Sequence, residues 1–61
     1  MTIIVVGAGS FGTALSNALA KNHNNKIIIL GRDQNVIQSI NFNRVNYKYF
    51  PFVTLSDNIS A

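Results

Sequence analysis

The chain has 61 residues, of which 48% are hydrophobic and 11% are charged, with no cysteine and one histidine. A chain this short buries only about 60% of the surface that its unfolded form exposes. It also lacks the disulfides or metal ligands that stabilise most small domains. We therefore interpret it as part of a larger domain. The net charge of +3 comes from scattered basic residues without a run, which argues against nucleic-acid binding, and no apolar run approaches the roughly 20 residues that span a membrane.

Two short apolar runs flank an amphipathic segment in the first half of the chain. Residues 3–6 form an unbroken β-branched run closed by Gly7, and residues 27–30 form a second run closed by Gly31. Because neither run alternates with polar residues, we predict two strands covered on both faces, as in a parallel sheet. Between them, apolar residues recur at the spacing of one helical face, which we predict to turn inward. They are Phe11, Ala14, Leu15, Ala18 and Leu19. Asparagines around His23 predict a loop after this helix.

A second helix is predicted from Gln34 to about Phe42, with Asp33 as its N-cap. Its inward-facing residues are predicted to be Val36, Ile37 and Ile40. In the less regular segment that follows, residues 53–55 are interpreted as the lead-in to another strand. The aromatic residues there favour a hydrophobic plug under that strand over a binding cage; they are Tyr47, Tyr49 and Phe50.

The glycine pattern Gly7-Ala8-Gly9-Ser10-Phe11-Gly12 stands between the first strand and the first helix. Gly7 permits a tight turn, Gly9 lets the backbone approach a pyrophosphate, and Gly12 avoids pushing the helix away from the strand. The free N–H groups of the first helical turn attract an anion, and Ser10 adds a hydroxyl donor. A glycine-rich turn without a ligand is the less favoured interpretation. The pattern therefore predicts that this turn binds the pyrophosphate of NAD or NADP.

The order of elements and the glycine pattern together define the predicted fold class. It is α/β, the first half of a doubly wound parallel-sheet (Rossmann) dinucleotide-binding domain in the order β-α-β-α, occupying residues 1–61. We expect the remainder of that domain, and a separate substrate domain, to lie outside these residues.

The end of the second strand is expected to contact the adenosine ribose. Gly31 occupies the position where enzymes specific for NAD usually have an acid, so Arg32 is the first side chain that reaches the ribose. A guanidinium pairs with a phosphate through two hydrogen bonds, which favours NADP, or the use of both nucleotides, over a surface role for Arg32. Asp33 is interpreted as a helix cap, and Arg44 and Lys48 as surface charges.

Three segments of the chain resemble the N-terminus of NAD(P)-dependent glycerol-3-phosphate dehydrogenases. They are residues 7–15, Gly31-Arg32-Asp33, and Asn46-Tyr47-Lys48-Tyr49-Phe50-Pro51. The most specific parts are residues 10–15 and 49–51, because a generic dinucleotide fold requires neither. The resemblance implies that Ser10, Phe11 and Arg32 touch the cofactor and that Tyr49 lies near it, although for Phe11 packing in the core is at least as well supported. Phe52 departs from the family, which usually has glycine there.

The resemblance also implies an activity for the complete protein. That activity is hydride transfer between NAD(P)H and dihydroxyacetone phosphate, giving sn-glycerol 3-phosphate for phospholipid synthesis, with a homodimer as a candidate state. A cytoplasmic location is expected from the sequence itself, because the chain has no cysteine and its N-terminus lacks the features of a signal peptide. The predicted cofactor-binding residues are Gly7, Gly9, Ser10, Phe11, Gly12, Arg32 and Tyr49; no catalytic or metal-binding residue is assigned, and the 61 residues alone are expected to be inactive. Two alternatives stay open: another two-domain NADP-dependent reductase, of the 3-hydroxyacid or ketopantoate type, and a truncated, non-catalytic remnant.

Overall fold

Three parallel strands and two helical segments make up the fold. The structure is a computed structural model that describes all 61 residues. In chain order the elements are β1 (Thr2–Val6), α1 (Ser10–Leu19), β2 (Lys26–Leu30), α2 (Gln34–Gln38), a π-helical turn (Ser39–Asn43) and β3 (Ile59–Ser60). The strands form one sheet in the order β1-β2-β3, with both pairings parallel. The predicted β-α-β-α order and the α/β fold class are confirmed.

The core lies around β2, the central strand of the sheet. β2 pairs with β1 along its whole length, from Lys26 to Leu30, and with β3 through Ile27 and Ile28. Because it has a strand on each side and helices packed on the sheet, Ile27 is fully buried and Ile29 nearly so. Eight buried hydrophobic residues form the core cluster: Val5, Ala20, Ile27, Ile29, Val36, Ile40, Leu55 and Ile59.

Strand β1 is buried on one face only. Val5 belongs to the core, but Ile4 is 58% exposed and Val6 is 82% exposed. The prediction that both faces of this strand are covered is therefore wrong for these 61 residues. β1 stands at the edge of the sheet, where no further strand pairs with it.

Helix α1 turns a different face inward from the one that its apolar spacing predicts. Its buried residues are Thr13 and Ser16, followed by Ala20 just past its end. These small side chains let the helix approach the rest of the fold closely, and Ser16 satisfies its hydroxyl by donating to the Gly12 carbonyl at 2.7 Å. Of the five apolar residues predicted to face inward, Leu19 packs against the core, whereas Phe11 is 80% exposed and Leu15 and Ala18 are also exposed.

The second helix begins as predicted and changes its hydrogen-bonding pattern midway. Asp33 caps it by accepting hydrogen bonds from the amides of Asn35 and Val36, which confirms its predicted role. Val36 and Ile40 are buried and Ile37 is half-buried, so the predicted inward face is confirmed. From Ser39 the helix continues as a π-helical turn, a local widening that the spacing of apolar residues does not predict.

Arg44 ends the π-helical turn and is not the surface charge that the sequence predicts. Its backbone adopts the left-handed conformation, with φ of 60°. Its guanidinium is half-buried and donates to the carbonyls of Ile40, Ser56 and Ile59, the last at 2.6 Å. Arg44 thus connects the helical layer to the approach and start of β3.

Residues 45–58 form no helix or strand but contain a tight turn closed by a bridge between Asn46 and Phe50. Phe50 packs against the core, as a hydrophobic plug would. Tyr47 and Tyr49 are about half exposed, so that interpretation is wrong for both tyrosines. Residues 53–55 are not themselves a strand, and β3 begins only at Ile59. None of the helices is both long and apolar enough to cross a membrane.

Candidate functional site

The glycine turn joins the carboxyl end of β1 to the start of α1, and two of its glycines are required by local geometry. Gly7 has φ of +106°, a backbone angle that side chains disfavour. A Cβ on Gly12 would overlap the carbonyl oxygen of Gly7. Gly12 therefore lets the first turn of the helix rest against the glycine turn, whereas the sequence predicts that it allows close packing of the helix on the strand.

The amino end of α1 presents unpaired amides. The N–H groups of Gly9, Ser10, Phe11 and Gly12 donate to no atom of the chain, and the first accepted bond in the helix is from Thr13 N to Gly9 O at 3.0 Å. No side chain caps this end, and the first turn carries no acidic residue. An α-helix of this length carries about half a positive charge at its amino end. The chain therefore leaves an anion-binding end uncovered at the edge where its strands terminate.

A groove of about 360 Å³ lies at this edge, between the glycine turn and the end of β2. Its lining combines backbone of the turn with side chains from three other segments: Val6, Gly7, Ala8, Gly9, Leu30, Gly31, Arg32, Asp33, Val36 and Tyr49. Among the predicted site residues, the groove brings together Gly7, Gly9, Arg32 and Tyr49. Ser10, Phe11 and Gly12 do not line it.

The end of β2 provides one free cation and one engaged carboxylate. The Arg32 side chain is exposed and makes no hydrogen bond or ion pair within the chain, so it is available to an anion. A Cβ on Gly31 would stand 2.9 Å from the Cβ of Ala8. A side chain at this position would thus crowd the glycine turn, and Arg32 is the first charged side chain after β2 that lines the groove.

Asp33 is held by hydrogen bonds on both carboxylate oxygens. Oδ1 caps α2, and Oδ2 pairs with Lys48 Nζ at 3.3 Å. Partial desolvation raises the pKa of the Asp33 carboxyl, but hydrogen bonds from Lys48 and the two backbone amides outweigh it, so the pKa lies below its usual value. The hydrogen bond to Asp33 in turn raises the pKa of the Lys48 ammonium. Asp33 is therefore occupied as a cap and ion-pair partner.

Tyr49 also lines the groove, together with residues of the glycine turn. Its side chain is 45% exposed, and the Lys48 ammonium lies 5.3 Å from the centre of its ring. Lys48 is an exposed residue, as predicted, although its ammonium is engaged by Asp33. The tyrosine ring thus offers an apolar surface beside Arg32, to which a planar group could pack.

Phe11 and Gly12 lie on a second groove, outside the first. This groove has a volume of about 420 Å³, lies between β1 and α1, and is lined mostly by hydrophobic residues, among them Ile4, Val6 and Leu15. The interpretation of Phe11 as a core residue is wrong, because its ring is largely exposed along this groove.

The sequence interpretation missed Asn46 and Thr13. Both side chains are completely buried, and Asn46 Nδ2 donates to Thr13 Oγ1 at 2.8 Å and to the Ala8 carbonyl at 2.9 Å. Asn46 opens the segment that carries the resemblance, but nothing local in the sequence indicates that it reaches the glycine turn 38 residues earlier.

Comparison of the sequence with known proteins places the chain in a family. A family profile described as "NAD-dependent glycerol-3-phosphate dehydrogenase N-terminus" matches residues 2–61. Two proteins named glycerol-3-phosphate dehydrogenase [NAD(P)+] illustrate the similarity. The one from Tropheryma whipplei is 53% identical over 53 residues, covering 87% of this chain and 15% of the relative. The one from Carboxydothermus hydrogenoformans is 48% identical over 59 residues, covering 97% of this chain and 17% of the relative.

A third relative of the same name, from Neorickettsia sennetsu, is 44% identical over the entire chain and 18% of its own length. The chain thus spans less than a fifth of the length of these relatives. No solved structure matches it significantly. Because the profile covers all but the first residue, the chain belongs to the family of NAD-dependent glycerol-3-phosphate dehydrogenase N-termini.

Proposed function

We propose that residues 1–61 form the cofactor-binding start of an NAD(P)-dependent dehydrogenase that interconverts dihydroxyacetone phosphate and sn-glycerol 3-phosphate. The observation that carries this proposal is the row of unpaired amides at the start of α1, of which Gly9 lines the same groove as the free Arg32. The names of the relatives support the nucleotide and the reaction. The proposed activity belongs to the complete protein, because no group in these residues is assigned to the chemical step.

The residues of the chain bind and orient the nucleotide in this proposal. The diphosphate lies against the amides that follow Gly9, where the helix end and the open backbone favour negative charge. Gly7 and Gly12 hold the turn in shape, and the Ser10 hydroxyl adds a donor. When bound, the nucleotide supplies the hydride acceptor or donor through its nicotinamide ring.

The adenosine end of the nucleotide occupies the groove beside β2. Arg32 pairs with the 2′-phosphate of NADP, since its guanidinium has no partner within the chain, and Tyr49, which lines the same groove, packs against the nucleotide. Phe11 contacts the nucleotide from the second groove, where its ring is free to do so. Both NADP and NAD can make the contacts with the backbone amides. Arg32 is the residue that recognises the additional 2′-phosphate of NADP.

The activity is tested with the product of the complete reading frame that contains residues 1–61. We expect it to oxidise NADPH or NADH when dihydroxyacetone phosphate is added, and to give no comparable rate with ketopantoate or a 3-oxo acid. Loss of absorbance at 340 nm measures the reaction. Absence of nucleotide oxidation with dihydroxyacetone phosphate would remove the proposal, and activity with only the other substrates would favour the alternative reductase.

The nucleotide preference is tested by Arg32→Ala. We expect the dissociation constant for NADPH to rise by about 10- to 100-fold, since a charge-assisted pair is lost, while that for NADH changes little. Fluorescence titration measures both constants. Lys26→Ala is the matched control, because it removes one exposed positive charge at the opposite end of β2. Equal ratios of the two constants in Arg32→Ala and the parent protein would contradict the role of Arg32.

Three finer parts of the proposal derive from the sequence interpretation alone. They are a supply of sn-glycerol 3-phosphate to phospholipid synthesis, a cytoplasmic location, and a homodimeric complete protein. Fractionation of the cells and sedimentation of the purified protein test the last two.

A further inference from the structure

Asn46 is the most completely engaged polar side chain in the fold. It is 0% exposed, although it lies in a segment without helix or strand. Its Nδ2 group donates to Ala8 O at 2.9 Å and to Thr13 Oγ1 at 2.8 Å, and its Oδ1 accepts from Tyr49 N at 3.1 Å. A buried amide is stabilising only when it is paired in this way. These three hydrogen bonds therefore require a side chain of the size of asparagine that can both donate and accept.

The bond to Ala8 determines how one peptide of the glycine turn is oriented. A trans peptide is planar, so its C=O and N–H point in opposite directions. Because the Ala8 carbonyl is directed at Asn46, the Gly9 N–H of the same peptide is directed away from Asn46. That N–H donates to no atom of the chain, and Gly9 lines the groove.

The bond from Tyr49 fixes a second part of the groove lining. Asn46 accepts from the Tyr49 amide through its side chain and from the Phe50 amide through its carbonyl, the latter at 2.9 Å. These two bonds close the turn that carries Tyr49. A single buried side chain therefore contacts the backbone at two parts of the groove lining, Ala8 and Tyr49.

We propose that Asn46 is a positioning residue for the nucleotide: it directs the Gly9 N–H at the diphosphate and holds Tyr49 beside it. This inference rests on the proposed function, because it assumes that a nicotinamide nucleotide occupies the groove. Asn46 touches no ligand itself. Its effect is transmitted by the Ala8–Gly9 peptide and by the turn that contains Tyr49.

Asn58 provides a matched control for a purely structural role. Its side chain is also an amide that donates to backbone carbonyls, those of Ala20 at 2.9 Å and Asn25 at 2.8 Å. These contacts lie at the opposite end of the sheet, where β2 and β3 begin. Replacing Asn58 thus removes a similar number of hydrogen bonds without touching the groove.

The test compares Asn46→Ala with Asn58→Ala in the product of the complete reading frame. We expect Asn46→Ala to raise the dissociation constant for NADPH about tenfold, the loss expected for one well-formed hydrogen bond. The value of kcat at saturating nucleotide should stay within about twofold of the parent, because binding and not the chemical step depends on the turn. Asn58→Ala should lower the melting temperature comparably and leave nucleotide binding unchanged. Equal effects of the two variants on the dissociation constant would overturn the proposal.

A second readout separates this inference from the proposed function. In the protein without nucleotide, the ¹⁵N order parameter of the Gly9 amide should fall in Asn46→Ala and remain at the parent value in Asn58→Ala. An unchanged Gly9 amide overturns the positioning role whatever the protein binds, whereas a parent protein that binds no nicotinamide nucleotide overturns the proposed function.

A milder pair of variants is used if Asn46→Ala does not fold. Thr13→Val removes one acceptor of the Asn46 amide, and Thr13→Ser keeps the hydroxyl at the same place. We expect Thr13→Val to weaken NADPH binding and Thr13→Ser to restore it; identical binding by both would contradict the proposal.

Discussion

The two sides of strand β1 differ more than any other two regions of the molecule. On the inner side, towards β2, every strand residue is paired and the side chains of Ile27 and Ile29 are buried. On the outer side, which we define by Ile4, Val6, Phe11 and Leu15, the strand edge is unpaired and the side chains line an open apolar groove. The residue types are alike, so the difference arises from neighbours and not from composition.

This contrast shows what an apolar pattern does and does not predict. The spacing of Phe11 and Leu15 along α1 indicates a face suited to burial, but the face that is buried carries Thr13 and Ser16. Small side chains are placed where the helix comes closest to other backbone, while the larger apolar ones lie along the outer side. A hydrophobic face therefore indicates a surface that can be covered, and a second element must be present to cover it.

The largest expected effect concerns the 61-residue polypeptide prepared alone. We expect it to self-associate or to remain largely unfolded, because the outer side exposes both an apolar groove and an unpaired strand edge. Sedimentation and circular dichroism measure this. Val6→Lys should reduce association, whereas Lys21→Glu, an exposed charge reversal just beyond α1, should not. A monomer with a cooperative thermal transition would contradict the expectation.

A smaller effect distinguishes the two sides by matched substitutions in the product of the complete reading frame. Ile27→Ala should lower the free energy of unfolding by about 2–5 kcal/mol, since it leaves a cavity in the core. Because the remainder of the domain is expected to cover the outer side in the complete protein, Ile4→Ala should lower it by more than the roughly 0.5 kcal/mol typical of an exposed position. Chemical denaturation measures both values. A loss of only about 0.5 kcal/mol for Ile4→Ala would mean that the outer side stays exposed in the complete protein.

The features predictable from the sequence are those decided by neighbouring residues. The two runs that became β1 and β2, the cap at Asp33, and the requirement for glycine at Gly7 and Gly12 all depend on local backbone chemistry. The groove could be predicted in part for the same reason, since parallel strands bring the glycine turn and Arg32 to one edge.

The features that escaped prediction depend on contacts between distant segments. Which face of α1 is covered depends on how the helix lies against the sheet, and the roles of Arg44 and Asn46 depend on carbonyls far away in sequence. The π-helical turn likewise could not be predicted from the spacing of apolar residues. Val36 in α2 and Ile40 in the π-helical turn are both buried, as they would be in an uninterrupted α-helix.

The smallest expected effect concerns the partly exposed ion pair between Asp33 and Lys48. Because the pKa of Asp33 is depressed in the folded protein, its stabilising contribution is present above the unfolded pKa of about 3.9 and is lost as the pH falls through the folded value. Lys48→Ala should raise the Asp33 pKa towards its usual value. A ¹³C NMR titration of the carboxyl in the complete protein measures it, with Lys26→Ala as control. An unchanged pKa in Lys48→Ala would show that the backbone amides alone depress it.

The left-handed backbone at Arg44 has a consequence for which substitutions this position tolerates. Glycine would adopt φ of 60° without penalty, yet it would release the carbonyls that the guanidinium gathers from Ile40 and Ile59. Lysine would keep the charge but lacks the forked, planar group that serves several acceptors at once. Arginine occupies this position despite its left-handed backbone, because its guanidinium joins the helical layer to β3. Glycine would suit only the backbone conformation, and lysine would keep only the charge.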